Sequence, residues 1–112
     1  MTRVELTTGS GAVGVRMEGH AEQGAYGEDV VCGALSMLAY TMAQNLSRLE
    51  AQGKLSSTPI LTMESGFVYL EAHAGKGHES ELLHGLEVIR GGFQLLAESF
   101  PQAVELYEKE GF

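Results

Sequence analysis

Asp29-Val30-Val31-Cys32-Gly33-Ala34-Leu35-Ser36-Met37-Leu38-Ala39-Tyr40-Thr41-Met42 is the stretch on which the fold of this 112-residue chain turns. Val31, Leu35, Leu38, Met42, Leu46 and Leu49 recur at steps of three or four, the period of one helix face, and so predict an amphipathic helix. Asp29 is placed to cap its start and Gly53 to end it. Before it, Val4 and Leu6 alternate with Arg3, Glu5 and Thr7, and Val13, Val15 and Met17 alternate with Gly14, Arg16 and Glu18. The turn Gly9-Ser10-Gly11 joins these two strands into a hairpin. After it, Leu61 and Met63 alternate within 59–64, and Val68, Leu70 and Ala72 within 67–72, across the short turn Ser65-Gly66.

A second helical stripe follows the polar stretch 73–79: Leu82, Leu86, Ile89, Phe93, Leu96 and Phe100, stopped by Pro101. Gly91-Gly92 weakens this helix by about 1 kcal/mol per glycine relative to alanine, which points to close packing on a neighbour. The tail 102–112 fits a short helix or an edge strand equally. The order is strand, strand, helix, strand, strand, helix. One apolar stripe per helix and one apolar face per strand are both satisfied by an α+β, two-layer ββαββα sandwich: a four-stranded, mainly antiparallel sheet with both helices on one face. The length supports a single domain over 1–112.

Composition removes several classes of function. Hydrophobic residues make up 44% of the chain, enough for a core, yet no apolar run approaches the ~20 residues of a membrane span. The start, Met1-Thr2-Arg3-Val4-Glu5, has no apolar segment of the secretory kind. Fifteen acidic against seven basic side chains give a net charge of −8, which repels phosphate backbones and argues against direct nucleic-acid binding. The same charge attracts a cationic partner. A single cysteine, Cys32, cannot form an internal disulfide and fits a reducing, cytoplasmic setting.

The chemistry concentrates between Gly19 and Ser36. A strand ends at Gly19-His20-Ala21, a loop carrying Gly24 and Gly27 follows, and Glu28-Asp29-Val30-Val31-Cys32 opens the helix. With Asp29 as cap, Cys32 lies in the first helical turn, where free N–H groups and the macrodipole favour a thiolate. The glycines let the loop fold back so that His20 reaches Cys32 as a Cys-His pair. The competing reading is a buried small hydrophobe and a surface histidine. Ser36, four residues on, shares the edge of the helix with Cys32; its hydroxyl either meets a ligand or bonds its own helix carbonyl. Asp29 either orients His20 or only caps the helix. His73, His78 and His84 have no zinc spacing, and Gly75-Lys76-Gly77 lacks the ending of a phosphate loop, so neither a metal nor a cofactor is expected.

Gly19-His20-Ala21, then Gly27-Glu28-Asp29-Val30-Val31-Cys32, then Ser36 resembles the motif of the bacterial ribosomal-processing cysteine protease family, Prp. The match is specific over about eighteen residues, with Gly66-Phe67-Val68 as a weaker echo. The resemblance implies a homodimeric ββαββα cysteine endopeptidase that removes a short N-terminal extension from a basic large-subunit ribosomal protein, cutting after paired aromatics and before a small residue. It assigns Cys32 as nucleophile and His20 as general base and acid. Gly19, Asp29 and Ser36 would shape the site, and the loop with Gly24 and Gly27 would be a mobile cover. Gly33 departs from the alanine common in the family, and Glu22 and Gln23 make the loop more polar. The alternative is a non-catalytic ribosome-assembly binding module of the same fold. A thiol redox protein fits less well, because no second cysteine is present to resolve an oxidised first.

Overall fold

The computed structural model describes residues 1–19 and 26–112, with the backbone but not the side chains of 26–29. Its elements are β1 (Thr2–Gly9), β2 (Ala12–Gly19), α1 (Tyr26–Ala51), β3 (Ile60–Glu64), β4 (Phe67–His73), α2 (Glu79–Ser99) and β5 (Val104–Glu110). The sheet order is β3-β4-β2-β1-β5. Both hairpins are antiparallel, as is the β2–β4 pairing that joins them, whereas β5 runs parallel to β1. The sheet is therefore five-stranded and mixed, which corrects the expected four-stranded one. The tail 102–112 supplies the fifth strand: Val104 and Leu106 pack against the core on the face that also buries Val4. Seven residues with alternation only at their start gave too short a pattern to separate strand from helix.

Register explains why one face of the sheet is dry. Val4, Met17, Val68 and Met63 stand side by side across four strands, and Leu6, Val15, Leu70 and Leu61 form the next row. These rows up to β4, with Met63 half-buried against them and Leu61 left 40% exposed at the edge, and the stripes Val31, Leu35, Ala39, Met42, Leu46, Leu49 and Leu82, Leu86, Ile89, Phe93 make one core cluster. The helices lie antiparallel, with Leu38 against Gly92 and Asn45 against Gly85. A Cβ on Gly92 would sit 2.5 Å from a Leu38 methyl, so close packing does account for that glycine; at Gly91 nothing lies within 4 Å.

The opposite face carries polar and aromatic side chains. The Arg3 guanidinium lies 4.2 Å from the Tyr107 ring centre and that of Arg16 lies 5.1 Å from Phe67. Tyr69 donates to Glu71, which also meets His73 Nε2 at 2.7 Å, and Phe112 packs edge-on against the His73 ring. No described helix is long and apolar enough to cross a membrane.

The start of α1 differs from expectation. The helix begins at Tyr26, so Asp29 is inside its first turn rather than capping it, and Gly27 is helical rather than part of the loop. Gly27 costs the helix about 1 kcal/mol, but Glu28 and Asp29 then fall in the first turn, where acidic side chains favour the positive end of the macrodipole.

Candidate active site

Three strand ends meet below the first half of α1. Thr2 of β1 pairs with Gly19 of β2, and the Gly19 N–H donates to the Gly66 carbonyl at 3.0 Å, tying the tip of the β3–β4 hairpin to the end of β2. Gly19 has φ +93°, and a Cβ there would lie 2.4 Å from the Met1 carbonyl oxygen. Only glycine fits this exit from β2, and the exit sets the direction in which the chain leaves toward position 20.

A cleft of about 90 Å³ opens at this junction. Its floor is Thr2, Met17 and Val68; Cys32, Leu35 and Ser36 form the helix wall; Glu64, Gly66 and Phe67 form the hairpin wall, with Gly19 at the end. Cys32 is half-buried against the core and Ser36 is exposed. Among the described residues the Ser36 hydroxyl forms no hydrogen bond, whereas Thr41 on the same helix donates to the Met37 carbonyl at 2.7 Å. The back-bonded alternative for Ser36 is not taken, and its hydroxyl remains available at the cleft.

Gly19, Cys32 and Ser36 thus line one cleft. His20 and Gly24 lie outside the described residues, as does the side chain of Asp29. One expectation changes. Cys32 is the seventh residue of α1, not a first-turn residue, so its N–H is already engaged four residues back and the pull of the macrodipole is much reduced there. The unpaired N–H groups belong to the turn that precedes it. Among the described residues, no group of three or more His, Cys, Asp or Glu side chains could hold a metal. His73 is engaged by Glu71, and His78 lies 3.5 Å from Glu81.

The motif reading missed Thr2, Glu64 and Phe67. Ser65-Gly66 was a clear turn, but placing that turn at the cysteine requires β4 to lie beside β2, a long-range pairing that local pattern does not encode. Gly66-Phe67 was the one signal pointing there.

The sequence profile of the family described as cysteine protease Prp matches residues 1–105. The chain belongs to the cysteine protease Prp family. Comparison with curated protein sequences gives no match. Among solved structures, the SMU.848 protein of Streptococcus mutans is 23% identical, with a TM-score of 0.70 over 99% of this chain and 96% of its own. The ribosomal processing protease Prp of S. aureus in complex with a substrate peptide is 21% identical, with a TM-score of 0.69 over 97% of this chain and 100% of its own. The same S. aureus protein with a covalently linked product peptide gives 23% and 0.68, again over 97% and 100%. At these identities the likeness is one of fold, and it spans both chains almost end to end.

Proposed function

We propose that this Prp-family chain is a cytoplasmic cysteine endopeptidase, working as a homodimer, that removes a short N-terminal extension from a basic large-subunit ribosomal protein. The observation that carries the reading is that Gly19, at the end of β2, meets Cys32 and Ser36, neighbours on one edge of α1, at one cleft. The S. aureus relative with its covalently linked product peptide supports a covalent route at such a site.

In the proposed reaction the Cys32 thiolate attacks the carbonyl carbon of the scissile bond, with His20 holding the thiol proton. The tetrahedral intermediate collapses as His20 gives that proton to the leaving amine, which departs as the new N-terminus. His20 then takes a proton from water; the hydroxide attacks the thioester, and the acid product leaves as Cys32 is regenerated. N–H groups in the turn before Cys32 are the candidate donors to the oxyanion. Ser36 contacts the substrate backbone, and Asp29 shapes the site from the first turn of α1.

The test is incubation with the host's full-length ribosomal protein and mass spectrometry of the product. One shortened species ending its removed segment in two aromatics is expected, and none with Cys32→Ala. Intact substrate with folded wild-type protein would favour the binding module. The two readings also separate by alkylation: a Cys-His nucleophile reacts with iodoacetamide well below the ordinary thiol value of about 8.5, a packing cysteine only near it.

A further inference from the structure

The two edges of the sheet are protected very differently. β5, Val104-Glu105-Leu106-Tyr107-Glu108-Lys109-Glu110, carries four charged residues in seven, the usual defence of an edge against pairing with another chain. Among the described residues β3, Ile60-Leu61-Thr62-Met63-Glu64, pairs only with β4; it carries one charge and leaves Ile60 and Leu61 44% and 40% exposed. Hairpin geometry fixes which backbone groups on β3 are free. The two-residue turn Ser65-Gly66 closes on the pair Glu64–Phe67, with Gly66 at φ +77°. In such a hairpin the closing pair exchanges both hydrogen bonds and alternate pairs follow it, so Ile60, Thr62 and Glu64 bond inward to β4. The N–H and C=O groups of Leu61 and Met63 therefore face outward.

This open edge leads into the cleft: Glu64 ends β3, and Glu64, Gly66 and Phe67 line the cleft that holds Cys32. We propose that the free edge of β3 takes the extended substrate polypeptide as a sixth strand, hydrogen-bonded to the backbone of Leu61 and Met63, which carries the scissile bond to Cys32. The inference rests on the protease reading and adds how the substrate is held. Main-chain pairing supplies affinity, and alternate side chains of the added strand are directed toward the helix layer, where selection operates. Continuity of the edge with the cleft is what assigns it to substrate rather than to a second copy of this chain.

The test uses a decapeptide containing Phe-Phe-Ala, N-methylated one amide at a time at positions away from the scissile bond and its neighbours. Strand addition requires an alternating profile: every second methylation lowers kcat/KM about tenfold, the loss of one well-placed hydrogen bond, and the intervening ones change it less than about twofold. Leu61→Pro removes an outward N–H without touching the β4 ladder, and is expected to lose about tenfold while thermal unfolding shows the fold retained. Independently of cleavage, the Leu61 and Met63 amides should gain hydrogen-exchange protection when the unmodified peptide binds Cys32→Ala. Cleavage with a flat methylation profile overturns strand addition and leaves the protease reading intact. Neither binding nor cleavage of the peptide overturns both. Protection of Leu61 and Met63 that grows with protein concentration in the absence of peptide assigns the edge to a second copy and also overturns the proposal.

Discussion

Gly19 shows how a single residue holds the candidate site in place. Its φ of +93° and the 2.4 Å approach of a virtual Cβ to the Met1 carbonyl leave no room for a side chain, and the opposing atom is backbone that cannot step aside cheaply. Gly19→Ala is expected to lower stability by about 2 kcal/mol in urea unfolding and to reduce cleavage further, because the strand exit toward position 20 is displaced. An alanine variant of wild-type stability and activity would contradict this role. On the other sheet face, Tyr69 and Glu71 form a titrating pair. The hydrogen bond from Tyr69, and then that from His73, hold the Glu71 carboxyl below the ordinary glutamate value. The bond to Glu71, with burial, pushes the Tyr69 hydroxyl up to about 12. A carboxyl lowered on folding adds stability above its unfolded value and loses it as pH falls; a phenol raised on folding adds stability below 10 and loses it as pH climbs toward 12. Tyr69→Phe should therefore raise the Glu71 value toward the ordinary range in an NMR titration. It should also flatten the stability–pH curve in the acid range and above pH ~10.

Elements came out of the sequence wherever burial is periodic. Both helices and all four hairpin strands follow apolar spacing, and their ends match the turn residues to within a few positions. Glycines within the helices give a sharper test at this scale. Gly92 faces Leu38 at the helix crossing, while Gly91 and Gly33 have nothing within 4 Å of a virtual Cβ and no positive φ. Gly33→Ala and Gly91→Ala should each stabilise the fold by about 0.5–1 kcal/mol through helix propensity alone. Gly92→Ala should instead destabilise it by about 1–3 kcal/mol, since the added methyl overpacks the interhelical contact. Equal effects at 91 and 92 in parallel denaturation curves would contradict the interhelical packing described. The sequence could not separate these adjacent glycines, because which one faces α1 depends on the crossing of two helices. The start of α1 was hidden for a related reason: Asp29 is a good cap by composition, but it also suits a first turn, and local chemistry does not choose between them. The motif brought Gly19, Cys32 and Ser36 to one place, whereas Thr2, Glu64 and Phe67 join them only through the β1–β2–β4 strand order, which no local spacing encodes.

At the scale of the whole molecule, the net charge of −8 acquires a spatial form. Lys54, Lys109, Arg16 and Arg90 are each held against a carboxylate, on Glu81, Glu5, Glu18 and Glu108. Arg3 lies over Tyr107, and Arg48 donates to Asn45. Four of the seven basic side chains are thus paired with carboxylates, and the excess negative charge acts at long range. Exposed pairs of this kind add little to stability, so the consequence belongs to association rather than folding. The basic ribosomal protein proposed as substrate should be drawn in by this field, and salt should weaken the attraction as the screening length falls from about 10 Å at 0.1 M toward 3 Å at 1 M. With the full-length basic substrate, kcat/KM is expected to drop by about tenfold or more between 0.05 and 0.5 M salt, largely through slower encounter. An uncharged decapeptide with the same Phe-Phe-Ala sequence should change less than about twofold over that range, because only short-range contacts at the cleft hold it. The comparison separates the two scales directly: equal salt dependence for both substrates would mean that the acidic surface takes no part in selecting the partner, and that recognition resides at the cleft and its bordering strand.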